Sequence, residues 1–257
     1  MTEREDDTCD VGGRTVTLET LRLTLQEQVD YEPREAPFAE GTGYVGAVAG
    51  VWRHTTFRQA RAVLALLRAD LRFEAVVNAR SCLEHAVAVQ ALAVTFDNGG
   101  TAEALHHLKV QALAGQNKAL KDLEFLDTTT GGRHREVLAG LRQRWGLDRP
   151  RRTESPNIAE TFKKLPSGEH LYRSVYAPLS ASTHANFSNI AHYLRGDADD
   201  QMSVAAAPAP SPWAENMLWL CWSCWAAEDG LSRFVDGTQG EVRRHVELLG
   251  RVGLAVT

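Results

Sequence analysis

The sequence predicts an all-α protein, a single helical bundle of about 7–9 helices with two long proline-containing loops. Three observations carry that reading. Apolar residues recur at helical spacing through most of the chain. No stretch shows the strict apolar–polar alternation of a half-buried strand. Between the apolar stretches stand clusters such as Asp97-Asn98-Gly99-Gly100 and Leu165-Pro166-Ser167-Gly168, which stop helices.

Residues 1–14 are acidic and end in glycines, and are expected to be disordered; residues 15–257 then form the bundle domain. A first short helix is expected at 18–29, followed by a loop with Pro33 and Pro37. From Tyr44 to about Leu71 runs a long helix. Its stripe is read as Val48, Val51, Trp52, Thr55, Ala62, Val63 and Leu66, with Arg53, Arg58, Arg61 and Arg68 mostly off it. The helix of Phe73–Phe96 is apolar nearly all round and so belongs in the middle of the bundle. After the Asp97–Gly100 stop, Thr101 starts the next helix, with Glu103 in the first turn where the dipole favours a carboxylate. The run Thr128-Thr129-Thr130-Gly131-Gly132 is expected to break that helix, and a shorter one follows at 134–145. The loop Asp148–Pro156 precedes a helix with Asn157 and Glu160 at capping spacing. Tyr172–Leu194 is the next helix, and the Ala/Pro-rich loop Gly196–Pro212 separates it from Trp213–Val235. That last large helix carries Trp213, Trp219, Trp222 and Trp225, an aromatic ridge for the core or for a homodimer contact. A terminal helix at 241–252 completes the series.

A hydrophobic fraction of 44% and a charged fraction of 24% are those of a soluble globular protein. Net charge of −5 advertises no basic face, which counts against a protein devoted to gripping nucleic acid. There is no run of apolar residues long enough to span a membrane and no apolar leader, so the expected address is the cytoplasm. There Cys9, Cys82, Cys221 and Cys224 are expected as thiols, with the Cys221-x-x-Cys224 pair packed in the core.

Chemistry is expected where polar groups interrupt apolar helices. Arg80 and Glu84 are four residues apart in an apolar helix, and such residues are almost never buried unpaired. The stretch Tyr172–Leu194 holds Tyr172, Arg173, Tyr176, Ser180, His184, Ser188 and His192 among apolar residues, more short polar side chains than a structural helix needs. Ser180, His184 and Ser188 share one stripe, and His192 lies about 80° from His184, so both imidazoles can border one cavity. Arg80, Glu84, His85, Ser180 and His184 are the candidate catalytic residues. Tyr172, Arg173, Tyr176, Ser188 and His192 are the candidate binding residues.

The segments NARSCLEHAV and IAETFKKLPSGEHLYRSVYAPLSASTHANF resemble a bacterial helical family, domain of unknown function 5677, over about Tyr44–Leu194. Its pattern sets an Arg-Ser-x-x-Glu helix before a Tyr, a Ser and a His, the points held here by Arg80, Ser81, Glu84, Tyr172 or Tyr176, Ser180 and His184. The resemblance implies a helical fold and a shared polar cluster, and no particular activity. Separately, Arg80 to His85 fits the Arg-x4-His spacing of the HEPN helical superfamily, many of whose members cleave RNA without metal. That resemblance implies Arg80 steadying a phosphate and His85 moving a proton. Two departures stand against it. Ser81 replaces the usual polar Asn, Asp or His, and the helix puts Arg80 and His85 about 140° apart.

The function expected is therefore a polar pocket that recognises a phosphate or another anion, in a small molecule or in RNA, with metal-independent RNA cleavage as its catalytic form and no cofactor. Three alternatives remain. The polar cluster can be a buried network that only fixes helix register. Glu103-Ala-Leu-His106 has the spacing of ferritin-like metal-dependent oxidases, but no second copy exists. Ser180 and His184 are a thin basis for a hydrolase, without a nucleophile elbow.

Overall fold

The computed structural model describes residues 7–31, 36–126, 128–146, 158–182, 194–196, 202–204 and 213–256. Its body is helical, as expected. Among the described residues strands are few: β1 (Thr8–Val11) pairs antiparallel with β2 (Arg14–Thr17), and β3 (Leu194–Gly196) with β4 (Met202–Val204). The first hairpin corrects the expectation of a loose terminus at residues 8–14. Val11 and Val16 turn inward and join the core, and that burial holds the segment.

Thr17 caps helix α1 (Leu18–Asp30) by accepting from the Thr20 amide at 3.2 Å. Arg61 donates to the Val29 carbonyl near the other end. Helix α2 (Gly43–Arg68) closes through Asp70, whose φ of 58° lets its amide reach Leu67 O at 3.1 Å and the Leu71 amide reach Leu66 O at 2.9 Å. That tight cap turns the chain straight into α3 (Arg72–Leu126). The stripe expected on α2 is rotated. Val51 is exposed, whereas Val45, Ala49, Arg53, Thr56, Phe57, Ala60, Val63 and Leu64 face inward.

The first arm of α3 is central, as its all-round apolarity required. Ala75, Ala79, Cys82, Leu83, Ala86, Val87, Ala91 and Leu92 are buried, and the arm packs on α2 and on α8 (Ala214–Leu231). It breaks at Gly100, with φ 68° and ψ −168°, the expected stop. The second arm carries Leu108 and Leu113 inward and leads to α4 (Thr128–Trp145). The Thr128–Gly132 run is helical there, so it opens α4 instead of breaking the chain into a longer loop.

Short helices α5 (Ile158–Lys163), α6 (Gly168–Leu171) and α7 (Ala177–Ser182) follow, with a π-helical stretch, Tyr172–Tyr176, between the last two. Helix α8 is buried on most sides by α1, α2, α3 and α9 (Gln239–Arg251). Asp7 supplies its N-cap from across the molecule, accepting from Trp213 N at 2.8 Å and Ala214 N at 2.9 Å. Trp213 and Trp225 close into the core, while Trp219 and Trp222 remain half-buried. Among the described residues, no helix is long and apolar enough to cross a membrane.

Candidate functional site

The first arm of α3 presents Arg80 and Glu84 on one side, joined by Arg80 Nε donating to Glu84 Oε1 at 2.9 Å. Their side chains are 25% and 30% exposed, so the pair lies at the edge of the bundle, in reach of water, and not sealed within it. Opposite them runs the π-helical stretch. Its wider turn, closed by the Ala177 amide on the Tyr172 carbonyl, is uncommon and often marks functional positions. The turn brings Tyr176 onto the pair, where its hydroxyl donates to the same Glu84 Oε1 at 2.6 Å. The Arg80 guanidinium stands 5.5 Å from the Tyr176 ring centroid, in cation–π range. Behind Tyr176, Tyr172 stacks at 5.4 Å, and Phe162 backs both rings.

The electrostatics make this a proton-holding cluster. Burial works against the Arg80 charge, yet the hydrogen bond and charge of Glu84 outweigh it and hold the guanidinium above its ordinary pKa. Burial, then the hydrogen bond and charge of Glu84, push the Tyr176 phenol up, so it keeps its proton and donates. Glu84 thus collects two donors on one oxygen, and the guanidinium is held in a fixed orientation by its Nε.

Of the expected site residues, Arg80, Glu84 and Tyr176 converge, with Tyr172 stacked on the last. Ser180 sits half-buried on α7. Arg173 is exposed and bridges Glu169 along its own helix at 2.7 Å. His85 lies apart from Arg80. Its Nδ1 donates to the Ser81 carbonyl at 2.7 Å, so in the neutral ring Nε2 is the nitrogen that can accept a proton. His184, Ser188 and His192 lie outside the described residues. Glu103 and His106 are both exposed, and no group of three or more His, Cys, Asp or Glu side chains converges among the described residues. Cys221 and Cys224 are fully buried beside Cys82, as packing residues; burial pushes the Cys82 and Cys221 thiols up.

A second polar cluster was missed by sequence reasoning. Arg53 Nε donates to Glu228 Oε2 at 2.8 Å, with side chains 10% and 1% exposed. The Arg53 guanidinium lies 4.1 Å over Phe57, whose ring meets His245 edge-on. Gln28, fully buried, donates from Nε2 to Cys221 O and to His245 Nδ1, both at 3.1 Å. Burial first, then the charges of Arg53 and Arg244, lower the His245 pKa to about 3. Burial raises Glu228, and Arg53 partly offsets it. The legible signal was Glu228, a lone carboxylate on an apolar face of the Trp-rich helix, the same kind of anomaly that marked Arg80 and Glu84.

A family model described as "Family of unknown function (DUF5677)" matches residues 47–202, more than half of the chain. That segment contains Arg80, Glu84 and Tyr176 and leaves out Gln28, Glu228 and His245. No curated protein and no solved structure matches the chain.

Proposed function

The chain belongs to the DUF5677 family, a family of unknown function, and from that premise we propose that the Arg80–Glu84–Tyr176 cluster is its ligand site, taking a phosphate or another anion. One observation carries the reading: a π-helical turn, a rare departure from α-helix, sets Tyr176 on a partly exposed ion pair 92 positions away in the chain. A structural pair at a bundle edge contributes only a few tenths of a kcal/mol and would not need such a turn. Arg80 supplies the fixed positive charge. Glu84 and Tyr176 orient it, and Tyr172 offers a ring face for a base or other flat group.

Metal-independent RNA cleavage is the finer form of this proposal. The observation that favours it is the hydrogen bond from His85 Nδ1 to the Ser81 carbonyl, which in the neutral ring reserves Nε2 for the part of a general base. His184 is the other candidate for that role. Inorganic phosphate and a short single-stranded RNA are the probes. Thermal melts of the full chain should shift upward with one or both, and Arg80→Ala should lose the shift while folding. RNA incubated with the protein in chelator should be cut, and His85→Ala or His184→Ala should stop cutting with the melt unchanged. No shift with either probe in wild-type protein ends the binding proposal, and a shift without cleavage ends only the nuclease form. A homodimer contact through the half-buried Trp219 and Trp222 is proposed as well, to be read as the mass in solution.

A further inference from the structure

The break at Gly100 folds the second arm of α3 back so that His107 stands near Thr95 of the first arm. Lys164, in the connection after α5, reaches between them. Its Nζ lies 3.1 Å from His107 Nδ1 and 3.3 Å from Thr95 Oγ1. Thr95 already donates its hydroxyl proton to the Ala91 carbonyl at 2.7 Å, so it accepts from the amine. On the ring's other side, Gln111 Nε2 lies 3.0 Å from His107 Nε2. An amine thus faces an imidazole nitrogen at 3.1 Å, and the Arg80 cluster uses neither group.

We infer that Lys164 is a nucleophilic amine, poised to form an imine with an aldehyde, with His107 Nδ1 as the proton carrier. The nitrogen lone pair attacks the carbonyl carbon and a C–N bond forms. The two protons of the neutral amine leave with the carbonyl oxygen as one water, carried by Nδ1 one at a time. No electrons change hands.

The surroundings favour the neutral amine. Partial burial lowers the Lys164 pKa, against the pull of the Glu103 carboxylate. Burial, then the neighbouring Lys164 and His106, lower His107 to about 4, so the ring stays neutral near pH 7. The next residue is a built-in control. Lys163 donates to Glu160 at 2.8 Å, and that hydrogen bond holds its ammonium above the ordinary value. Two adjacent lysines are thus driven in opposite directions.

The full chain would be treated with acetaldehyde and cyanoborohydride near pH 7, and alkylation followed by peptide mass spectrometry. Lys164 should react several-fold faster than Lys163, in the direction set by the partial burial of the one and the Glu160 hydrogen bond of the other. His107→Ala should bring Lys164 down several-fold with the melting temperature retained, and His107→Gln serves if the alanine variant unfolds. Equal rates at the two lysines overturn the inference. A fast Lys164 unaffected by either His107 variant overturns the proton-carrier role.

Discussion

Arg53 shows what a single residue can hide. On the sequence it is one of four arginines set off the apolar stripe of α2; in the fold it is 8% exposed, and its Nε is bonded to Glu228. Removing one partner leaves the other charged and buried, so Arg53→Ala should destabilise by about 3–5 kcal/mol in denaturant unfolding. The double variant Arg53→Met, Glu228→Leu should recover most of that loss, because two apolar groups need no partner. If the double variant is as unstable as the single, the pair is not the source of the cost. His245 gives the pH counterpart. Its folded pKa of about 3 lies below the ordinary 6.5, so its contribution is complete above pH 6.5 and lost as pH falls toward 3. Stability should decline across that window at up to about 1.4 kcal/mol per pH unit from this group. The gap between wild type and His245→Gln should narrow accordingly, and parallel curves from pH 7 to 4 would remove His245 from the account.

At the scale of the element, α3 and its break decide the most. Apolarity on every side pulls its first arm into the centre, where it meets both α2 and α8. Its face toward α7 is where Glu84 and Tyr176 meet. Gly100 then adopts a conformation open almost only to glycine. A Cβ at that position would meet nothing within 4 Å, so any penalty comes from the backbone alone. Gly100→Ala should therefore lower stability by about 1–3 kcal/mol with the core unchanged. It should also loosen the contact of Lys164 with Thr95 and His107, seen as altered chemical shifts at those residues. An unchanged melting temperature would mean that the break tolerates an ordinary residue.

For the whole molecule, the family match and the packing divide the chain differently. The match spans residues 47–202. The core does not stop there: Leu21, Leu25 and Val29 of α1, together with Met217, Cys221 and Cys224 of α8, are fully buried against α2 and α3. Beside them, Phe234 joins Val45 and Leu92 in a second cluster. Cutting away both ends would bare the inner faces of α2 and α3. The fragment 47–202 should therefore show helical signal but no cooperative unfolding transition in a thermal melt. A sharp transition would establish the matched segment as self-sufficient.

The helices, the break at Gly100, the central place of α3 and the pairing of Arg80 with Glu84 were legible in the residues. Each rests on local spacing or on the cost of burying an unpaired charge, and both are written in the sequence. The rotated stripe of α2 was not legible, because Arg53 and Thr56 look polar until Glu228 and the Trp52 carbonyl are seen to satisfy them. Nor were the hairpin at β1 and β2, the π-helical turn, or the facing of Lys164 and His107. Those depend on which distant backbone and side-chain groups meet, and only the folded chain decides which donors find which acceptors.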